Sequence, residues 1–358
     1  MTYFFGALIT AFYLPWYPRS GVEFRWVVIL VGISALMWAE RRELPWTLAV
    51  KLFAAFYVLA TCSLAWSDYP LLSIGRWFEL TALAVVFYLG GVLERVDELL
   101  TGLIIGLVPS VLLLPFQLAG WSPVEQWSVP AGVFVSKLQL VEVAVPLLFV
   151  SVARGWWWSA LICASAAILP SVRGAWLALV VTSLIAMTRR PRCDWRCLTG
   201  ATCLLLLFAV ALGVLLNPIT VQHRLLIWSE TIAALTPLGH GLGSHLPVYG
   251  AAHAHNDFLE IAYELGVPGV MLFVVAISSL TRFGGEWHGI VSLVILSLTS
   301  FPLQNPASSV VFALLAGGLA VDRWRAWYDD RDERDRVREE LFADVRRSPA
   351  GYPVRGRS

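Results

Sequence analysis

Five of the six histidines in the sequence fall within one segment, His223 to Gly269, which is also the longest polar interruption between apolar runs. Histidine is the side chain whose ordinary pKa lies near neutrality, so it serves in proton transfer, metal ligation or phosphate binding. The five are His223, His240, His245, His253 and His255. Packing alone does not account for such a concentration, and the segment therefore indicates a site of chemistry.

Two arginines stand where a charge is costly in a membrane protein. Arg173 lies at a break between two apolar runs, and Arg224 lies shortly after Asn217-Pro218. Ionisable groups at membrane depth usually mark a pathway or a site, and a guanidinium binds phosphate in a bidentate manner without losing its proton. The simpler alternatives are snorkelling of Arg173 to headgroups and a solvated or lipid-phosphate contact of Arg224. The pair favours a phosphate or diphosphate ligand at a membrane surface.

A helix is predicted to begin at His255-Asn256-Asp257, next to the histidine cluster. Asp257 and Glu260 have the spacing of a capping box, and the N-terminal end of a helix favours an anion. Helical spacing puts Glu264 on the face of Asp257. The simpler interpretation of Glu260 and Glu264 is a solvated or capping face.

The composition decides the setting in which these residues act. Of the 358 residues, 58% are hydrophobic and 14% are charged, which is more apolar surface than one soluble core buries. A span needs about 20 predominantly apolar residues. The sequence therefore predicts an all-α polytopic membrane protein with about twelve transmembrane helices. The predicted runs are 2–17, 22–39, 46–66, 71–92, 98–118, 132–152, 155–170, 174–188, 198–216, 258–281, 287–303 and 308–321.

The arginine clusters predict the orientation. Basic residues are concentrated around Arg41, between Arg189 and Arg196, and beyond Arg323. Since cytoplasmic loops carry the excess of basic residues, we expect both termini in the cytoplasm and the loop 217–256 in the periplasm. Residues 1–321 then form one transmembrane domain, and residues 322–358, with ten arginines and nine acidic residues, form a charged cytoplasmic tail.

Several of these residues stand in a pattern that resembles the O-antigen ligase and O-antigen polymerase superfamily of membrane glycosyltransferases. His255-Asn256 is followed, after nine residues, by Gly266-Val267-Pro268-Gly269, which is similar to the histidine motif of the family and predicts a break in the helix. Upstream, Arg224 with Trp228 resembles the loop entry of the family. The other matching segments are Pro237-Leu238-Gly239-His240-Gly241-Leu242-Gly243 and Ser171-Val172-Arg173-Gly174.

The resemblance implies an inverting transferase of the bacterial inner membrane. Its donor would be an undecaprenyl-diphosphate-linked glycan, and its acceptor would be a hydroxyl of lipid A core or of a growing glycan at the periplasmic face. By motif, Arg173 and Arg224 hold the diphosphate and His255 is the catalytic base. Supporting roles fall to Asn256, His253 and Glu264. An imidazole can take the proton of a sugar hydroxyl, and fixed guanidinium groups stabilise the leaving diphosphate.

Two other classes of protein compete with this interpretation. A transporter or flippase would explain the many spans but not the histidines of one outer loop. A membrane zinc hydrolase would explain the histidines, yet His253 and His255 have no His-Glu-x-x-His partner motif. No Asp-x-Asp pair occurs on the predicted outer side, so the sequence requires neither a metal nor another cofactor, and nothing in it indicates nucleic-acid binding.

The resemblance to the superfamily does not identify the acceptor. The compact chain favours ligation to lipid A core over glycan polymerisation or protein O-glycosylation. A polar group in the sixth predicted span, Lys137 with Gln139 and Glu142, is expected to be mutually satisfied within the membrane.

Overall fold

A computed structural model of the chain describes most of the predicted membrane domain. The described residues are 3, 7, 44–93, 96–121, 136–188, 218–248, 254–280, 287–300, 302–303, 305 and 307–321. Within them the regular structure is entirely helical. The runs predicted at 22–39 and 198–216, the tail 322–358, His253, and all but residues 3 and 7 of the run at 2–17 lie outside the described residues.

Apart from the two helices within the predicted loop 217–256, the helices follow the apolar runs in chain order. They are α1 (Leu48–Cys62), α2 (Pro70–Val92), α3 (Val96–Ile105), α4 (Val108–Leu118), α5 (Lys137–Ala153), α6 (Trp157–Ile168), α7 (Arg173–Thr188), α8 (Pro218–Ala233), α9 (His245–Val248), α10 (Asp257–Leu280), α11 (Trp287–Ser297) and α12 (Ala307–Val321).

Four segments among the described residues are long and apolar enough to cross a membrane. They are Leu48–Trp66, Pro70–Val92, Val96–Leu118 and Asp257–Leu280. Each coincides within a few residues with a predicted span, so the membrane class is confirmed. The total of twelve spans and the positions of the termini stay predictions. Helices α8 and α9 lie within the predicted outer loop 217–256, whose periplasmic position stays a prediction.

Local chemistry explains where several helices begin. The Thr47 side chain accepts a hydrogen bond from the backbone N–H of Val50 at the start of α1. Ser136 does the same for Gln139 at the start of α5. Pro70 occupies the first turn of α2, where its missing N–H costs nothing. These caps set the helix starts independently of the apolar pattern.

Helices α2 and α12 touch through glycine. A Cβ on Gly90 would overlap the carbonyl oxygen of Leu314, and a Cβ on Gly317 would overlap that of Phe87. Such close backbone approach is how membrane helices gain packing energy without a hydrophobic driving force. Elsewhere α10 packs on α1, and α11 packs on both α5 and α7.

Helix α10 is broken near its first third. Gly266 has φ 66° and ψ −164°, which is outside the helical region, and Pro268 follows it. The predicted break before the apolar part of this span is therefore confirmed. The carbonyl and N–H groups released by the break need partners from elsewhere in the chain.

Candidate functional site

Asn256 is the residue that begins α10. Its side-chain oxygen accepts a hydrogen bond from the N–H of Leu259 at 3.1 Å, and its carbonyl accepts from Leu259 and Glu260. Glu260 is buried and accepts a hydrogen bond from the N–H of Ala254 at 2.8 Å, ahead of the helix. The predicted Asp257–Glu260 capping box is therefore wrong by one residue, because an asparagine at the helix start already satisfies the first free N–H group.

His255 occupies a strained backbone position directly before this cap. Its φ is 53°, and among the described residues only Ser171, at 54°, is another non-glycine residue with positive φ. A non-glycine residue in the left-handed region costs about 1–3 kcal/mol and is found preferentially at functional sites. Ser171 lies two residues before Arg173, so both strained positions adjoin predicted site residues.

Trp228 connects the arginine helix to the histidine segment. It lies one turn after Arg224 on α8, and its indole N–H donates to the carbonyl oxygen of Ala254 at 2.5 Å. Ala254 directly precedes His255. The hydrogen bond thus fixes the start of α10 beside the turn of α8 that carries Arg224.

Arg173 and Arg224 lie close enough for their charges to interact, while their role in binding a diphosphate stays a prediction. Arg224 is half-buried and donates from Nη1 to the carbonyl oxygen of Thr299 at 2.9 Å. Burial and, secondly, the charge of Arg173 lower the pKa of Arg224. The buried Nε of Arg224 has no hydrogen-bond partner among the described residues. Arg173 is exposed at the start of α7, so the two guanidinium groups form a cationic patch that an anion would stabilise.

The turn between α11 and α12 is the common support of this patch and of α10. Besides the Thr299 carbonyl, which binds Arg224, the turn supplies the N–H of Leu303, which donates to Asp257 Oδ2 at 3.1 Å. Gly174, beside Arg173, also lies against Thr299, whose hydroxyl would be 2.9 Å from a Cβ there. One short turn therefore contacts α7, α8 and α10.

Glu142 on α5 stabilises the turn between α11 and α12. It is fully buried and accepts hydrogen bonds from the Ser300 hydroxyl and, at 2.9 Å, from the Asn305 side-chain amide. Lys137 is exposed, so the expected mutual pairing of Lys137 and Glu142 is wrong. The actual partners lie more than 150 residues further along the chain, and the sequence carried no local signal for them.

The broken part of α10 is covered by the loop between α8 and α9. The N–H of His240 donates to the Tyr263 carbonyl and that of Gly241 to the Glu264 carbonyl, both at 2.9 Å. In return, the N–H of Val267 donates to the Pro237 carbonyl at 3.1 Å. The backbone groups released by the break are thus paired, and the glycine-rich loop segment resembling the family is explained.

The other side of the same loop rests on the connection between α1 and α2. The N–H of Asp68 donates to the His240 carbonyl at 3.2 Å, and the N–H of Leu242 donates to the Ser63 hydroxyl at 3.1 Å. The Ser73 hydroxyl donates to the Leu242 carbonyl. Residues 241–244 of the loop are therefore buried, whereas Leu235, Pro237 and Leu238 are exposed.

Two of the clustered histidines serve this scaffold. The His240 ring stacks on Tyr263 with centroids 4.4 Å apart, and its nitrogens lie 3.2 Å from Asp68 Oδ2 and 2.8 Å from the Ala234 carbonyl. His245 is buried, meets Tyr263 edge-on, and lies 3.2 Å from the Thr231 hydroxyl. The histidine concentration thus combines structural residues with His255, the residue at the strained position.

Glu264 is buried as well, so its interpretation as a solvated face is wrong. Its carboxylate accepts hydrogen bonds from the N–H groups of Gly243 and His245, and its side chain lines a cavity. The cavity has a volume of about 830 Å³ and lies between α1, α2, α10 and α12. Its polar lining consists mainly of Arg76, Glu79, Asp257 and Glu264. No pattern in the sequence indicated a cavity at this place.

Among the described residues, no group of three or more His, Cys, Asp or Glu side chains could hold a metal ion. The residues brought together at the start of α10 are instead two arginines, an asparagine cap and one histidine, a set suited to binding anions and transferring protons.

These observations define a class: a membrane protein, helical over the part that the structure describes, with a cationic site at the start of a broken helix. Residues 158–274 match the family model described as O-antigen ligase. The resemblance to the O-antigen ligase superfamily is thereby confirmed over a segment that contains Arg173, Arg224 and His255. No curated protein matches the chain significantly.

Proposed function

We propose that the protein is an inverting glycosyltransferase that moves a glycan from an undecaprenyl-diphosphate donor to an acceptor hydroxyl. The observation that carries the proposal is the joining of Arg173, Arg224 and the His255 segment through Thr299 and Trp228. Two neighbouring guanidinium groups repel each other, so their proximity favours a dianionic ligand between them. The family match over the same segment supports this assignment.

The arginines act on the leaving group. Arg224 is half-buried and is positioned by the Thr299 carbonyl, so its guanidinium is held in one place. Arg173 supplies a second, exposed guanidinium. As the bond between the sugar C1 and the diphosphate oxygen breaks, the oxygen keeps the electron pair, and fixed guanidinium groups stabilise that charge without rearranging.

His255 acts on the acceptor. A neutral imidazole nitrogen takes the proton of the acceptor hydroxyl while its oxygen forms the new bond to C1 from the face opposite the diphosphate. The products are the glycosylated acceptor, the polyprenyl diphosphate and a protonated histidine. The strained backbone of His255 and the Asn256 cap hold the ring in one place relative to α10.

For the acceptor we propose lipid A core, with the reaction at the periplasmic face of the bacterial inner membrane. Glycan polymerisation and protein O-glycosylation are the alternatives within the same superfamily. The lipopolysaccharide of a deletion strain separates them by its banding. Lost attachment of long glycan indicates a ligase, capping with a single repeat indicates a polymerase, and unchanged lipopolysaccharide with a lost glycoprotein indicates protein glycosylation.

The transferase itself is tested with purified protein, a polyprenyl-diphosphate-linked oligosaccharide and candidate acceptors. We expect release of polyprenyl diphosphate in step with formation of the glycosylated acceptor, unaffected by a chelator. A transporter would instead move the lipid-linked glycan across a liposome membrane without breaking the C1 to phosphate bond, and that result would overturn the proposal.

A further inference from the structure

Ala254, the residue directly before His255, is held at both of its backbone groups. It is fully buried, and its N–H donates to Glu260 Oε1 at 2.8 Å. Its carbonyl oxygen accepts from the indole N–H of Trp228 at 2.5 Å. Glu260 lies in the first turn of α10 and Trp228 lies on α8. Side chains from two different helices therefore fix one residue of the segment between them.

The hydrogen bond from Trp228 acts on the conformation of His255. One planar peptide group joins the carbonyl of Ala254 to the N–H of His255, so holding the carbonyl oxygen fixes the plane that precedes the histidine. On the other side, the side chain and the carbonyl of Asn256 bind N–H groups in the first turn of α10. The φ of 53° at His255 is thus the rotation between two units that are each held by hydrogen bonds.

This left-handed φ needs support from the surrounding structure. A non-glycine residue stays in that region only where its neighbours prevent it from relaxing. If the indole donor is lost, the Ala254 carbonyl is buried without it, and we expect the peptide group to turn and His255 to take an ordinary negative φ. The imidazole then points in another direction. A displacement of about 1 Å at a reacting group can slow a reaction about a hundredfold.

Trp228 also relates the histidine to the arginine patch. It follows Arg224 by four residues on α8, so the two side chains lie on the same face of that helix. Arg224 is held in turn by the Thr299 carbonyl at 2.9 Å. A single helical turn and one hydrogen bond therefore set the position of the residue before His255 relative to the guanidinium of Arg224.

We propose that Trp228 and Glu260 are positioning residues, which hold His255 in place relative to Arg224 by binding the backbone of Ala254. This inference deepens the proposed transferase function and rests on it. Trp228 acts through its indole N–H, and Glu260 acts through an oxygen that accepts a hydrogen bond. Loss of either group slows the transfer step and leaves the binding of the donor diphosphate unchanged.

The first test removes the indole N–H from full-length protein in phosphatidylcholine nanodiscs. Trp228→Phe keeps an aromatic ring without the donor. Trp77→Phe is the matched control, because Trp77 is also half-buried and its indole N–H donates to the Thr61 hydroxyl at 3.0 Å, between α1 and α2. We expect kcat to fall roughly ten- to hundred-fold in Trp228→Phe, at unchanged affinity for polyprenyl diphosphate. Trp77→Phe should transfer like the wild type.

The second test separates the hydrogen bond of Glu260 from its charge. Glu260→Gln keeps an oxygen that can accept from the N–H of Ala254, whereas Glu260→Leu removes it. We expect Glu260→Gln to stay close to the wild type and Glu260→Leu to lose as much turnover as Trp228→Phe. An equal loss in Glu260→Gln would mean that Glu260 acts through its charge, which contradicts the inference.

A third measurement needs no activity. Diethyl pyrocarbonate modifies accessible imidazoles, and mass spectrometry reports the rate at each histidine. His255 should react faster in Trp228→Phe and Glu260→Leu than in the wild type or Trp77→Phe. His223, which is exposed on α8, serves as the internal standard.

The outcomes distinguish this inference from the proposed function. The inference is overturned by wild-type kcat in Trp228→Phe, by an unchanged rate of His255 modification in that variant, or by a loss of donor binding equal to its loss of turnover. A wild-type protein that binds polyprenyl diphosphate but transfers no glycan contradicts the proposed function instead. The modification rates then still show whether Trp228 and Glu260 position His255.

Discussion

Gly239 and Gly266 face each other backbone to backbone, although they are 27 residues apart in the chain. A Cβ on Gly239 would overlap the Glu264 carbonyl group, and a Cβ on Gly266 would overlap the Pro237 carbonyl oxygen. Both residues also have positive φ, at 73° and 66°. The break in α10 and the loop that covers it therefore form one unit, which neither segment could form with a side chain at these positions.

The first prediction compares two glycines with positive φ, of which Gly266 also has ψ −164°, a combination that essentially only glycine adopts. Gly155 has φ 71° but nothing within 4 Å of the position of a Cβ. We expect Gly155→Ala to lower the free energy of unfolding by about 1 kcal/mol, the cost of positive φ alone. Gly266→Ala should lose at least about 2 kcal/mol more, because backbone atoms must move. Thermal unfolding in detergent measures both, and equal losses would mean that the contact contributes nothing.

The second prediction concerns the arginine patch. Replacing Arg173 or Arg224 with lysine keeps the charge but removes the planar fork, so we expect transfer to fall roughly ten- to hundred-fold, as for loss of a charge-assisted hydrogen bond of about 1.5–3 kcal/mol. Arg154→Lys is the control, because Arg154 pairs with Asp97, away from the patch. Donor affinity and turnover are measured together.

The arginine prediction has a clear contrary result. The prediction is wrong if both Arg173→Lys and Arg224→Lys keep wild-type turnover at normal protein levels. The two residues would then only anchor the protein to lipid headgroups. A loss of the same size in Arg154→Lys would point to a general effect of substituting arginine by lysine in this protein.

The third prediction distinguishes the histidines. We expect His255→Ala to abolish transfer while donor binding stays measurable, since loss of a general base removes about a hundred- to ten-thousand-fold of rate. His253→Ala should be milder. His223→Ala is the matched control, because His223 is exposed on α8. Binding and transfer are scored separately in detergent. Near-normal transfer by His255→Ala would mean that another residue is the base. Glu264 and His245 would then be the next candidates.

The fourth prediction addresses the support beneath the site. Glu142→Ala leaves the Ser300 hydroxyl and the Asn305 amide without their carboxylate, at about 1–3 kcal/mol for each unsatisfied group. We expect lower thermal stability together with weaker donor binding, because the turn that these residues stabilise carries the Thr299 carbonyl bound by Arg224. Lys137→Ala, on the exposed side of the same helix, should change neither. Lower thermal stability with unchanged donor affinity would show that Glu142 stabilises the fold without affecting the donor site.

The fifth prediction is topological. We expect His255 in the periplasm and Ser358 in the cytoplasm, because the arginine clusters favour that orientation. Single cysteines introduced at the two positions and treated with a membrane-impermeant thiol reagent report the side of each. Labelling of both positions from the same side would contradict the orientation.

The features predicted correctly from the sequence are those with local causes. The break at Gly266 followed from glycine and proline within an apolar run, and the start of α10 followed from polar residues before it. The exact cap, Asn256 rather than Asp257, was missed because several neighbouring side chains could each cap a helix. The pairing of Arg173 with Arg224 was inferred from the family pattern, because their spacing in the sequence does not by itself require them to be close.

The features that the sequence could not reveal depend on contacts between distant helices. Glu142 finds Ser300 and Asn305 only because α5 packs against α11. Likewise, the cavity is a space between several helices, and the amphipathic pattern of any one helix does not predict it. Glu264 was expected at a solvated or capping face, whereas it is covered by a loop that residues 237–245 supply.

The glycine contact between α2 and α12 has a consequence for the size of what the cavity can hold. Phe87, Tyr88, Phe312 and Ala313 line the cavity, and the contact of Gly90 with Leu314 follows directly after them on both helices. On that side the cavity is bounded by main-chain atoms, which cannot swing aside as a side chain can. The glycine contact therefore forms a rigid part of the cavity wall, because the backbones of the antiparallel helices α2 and α12 meet there between the lining residues.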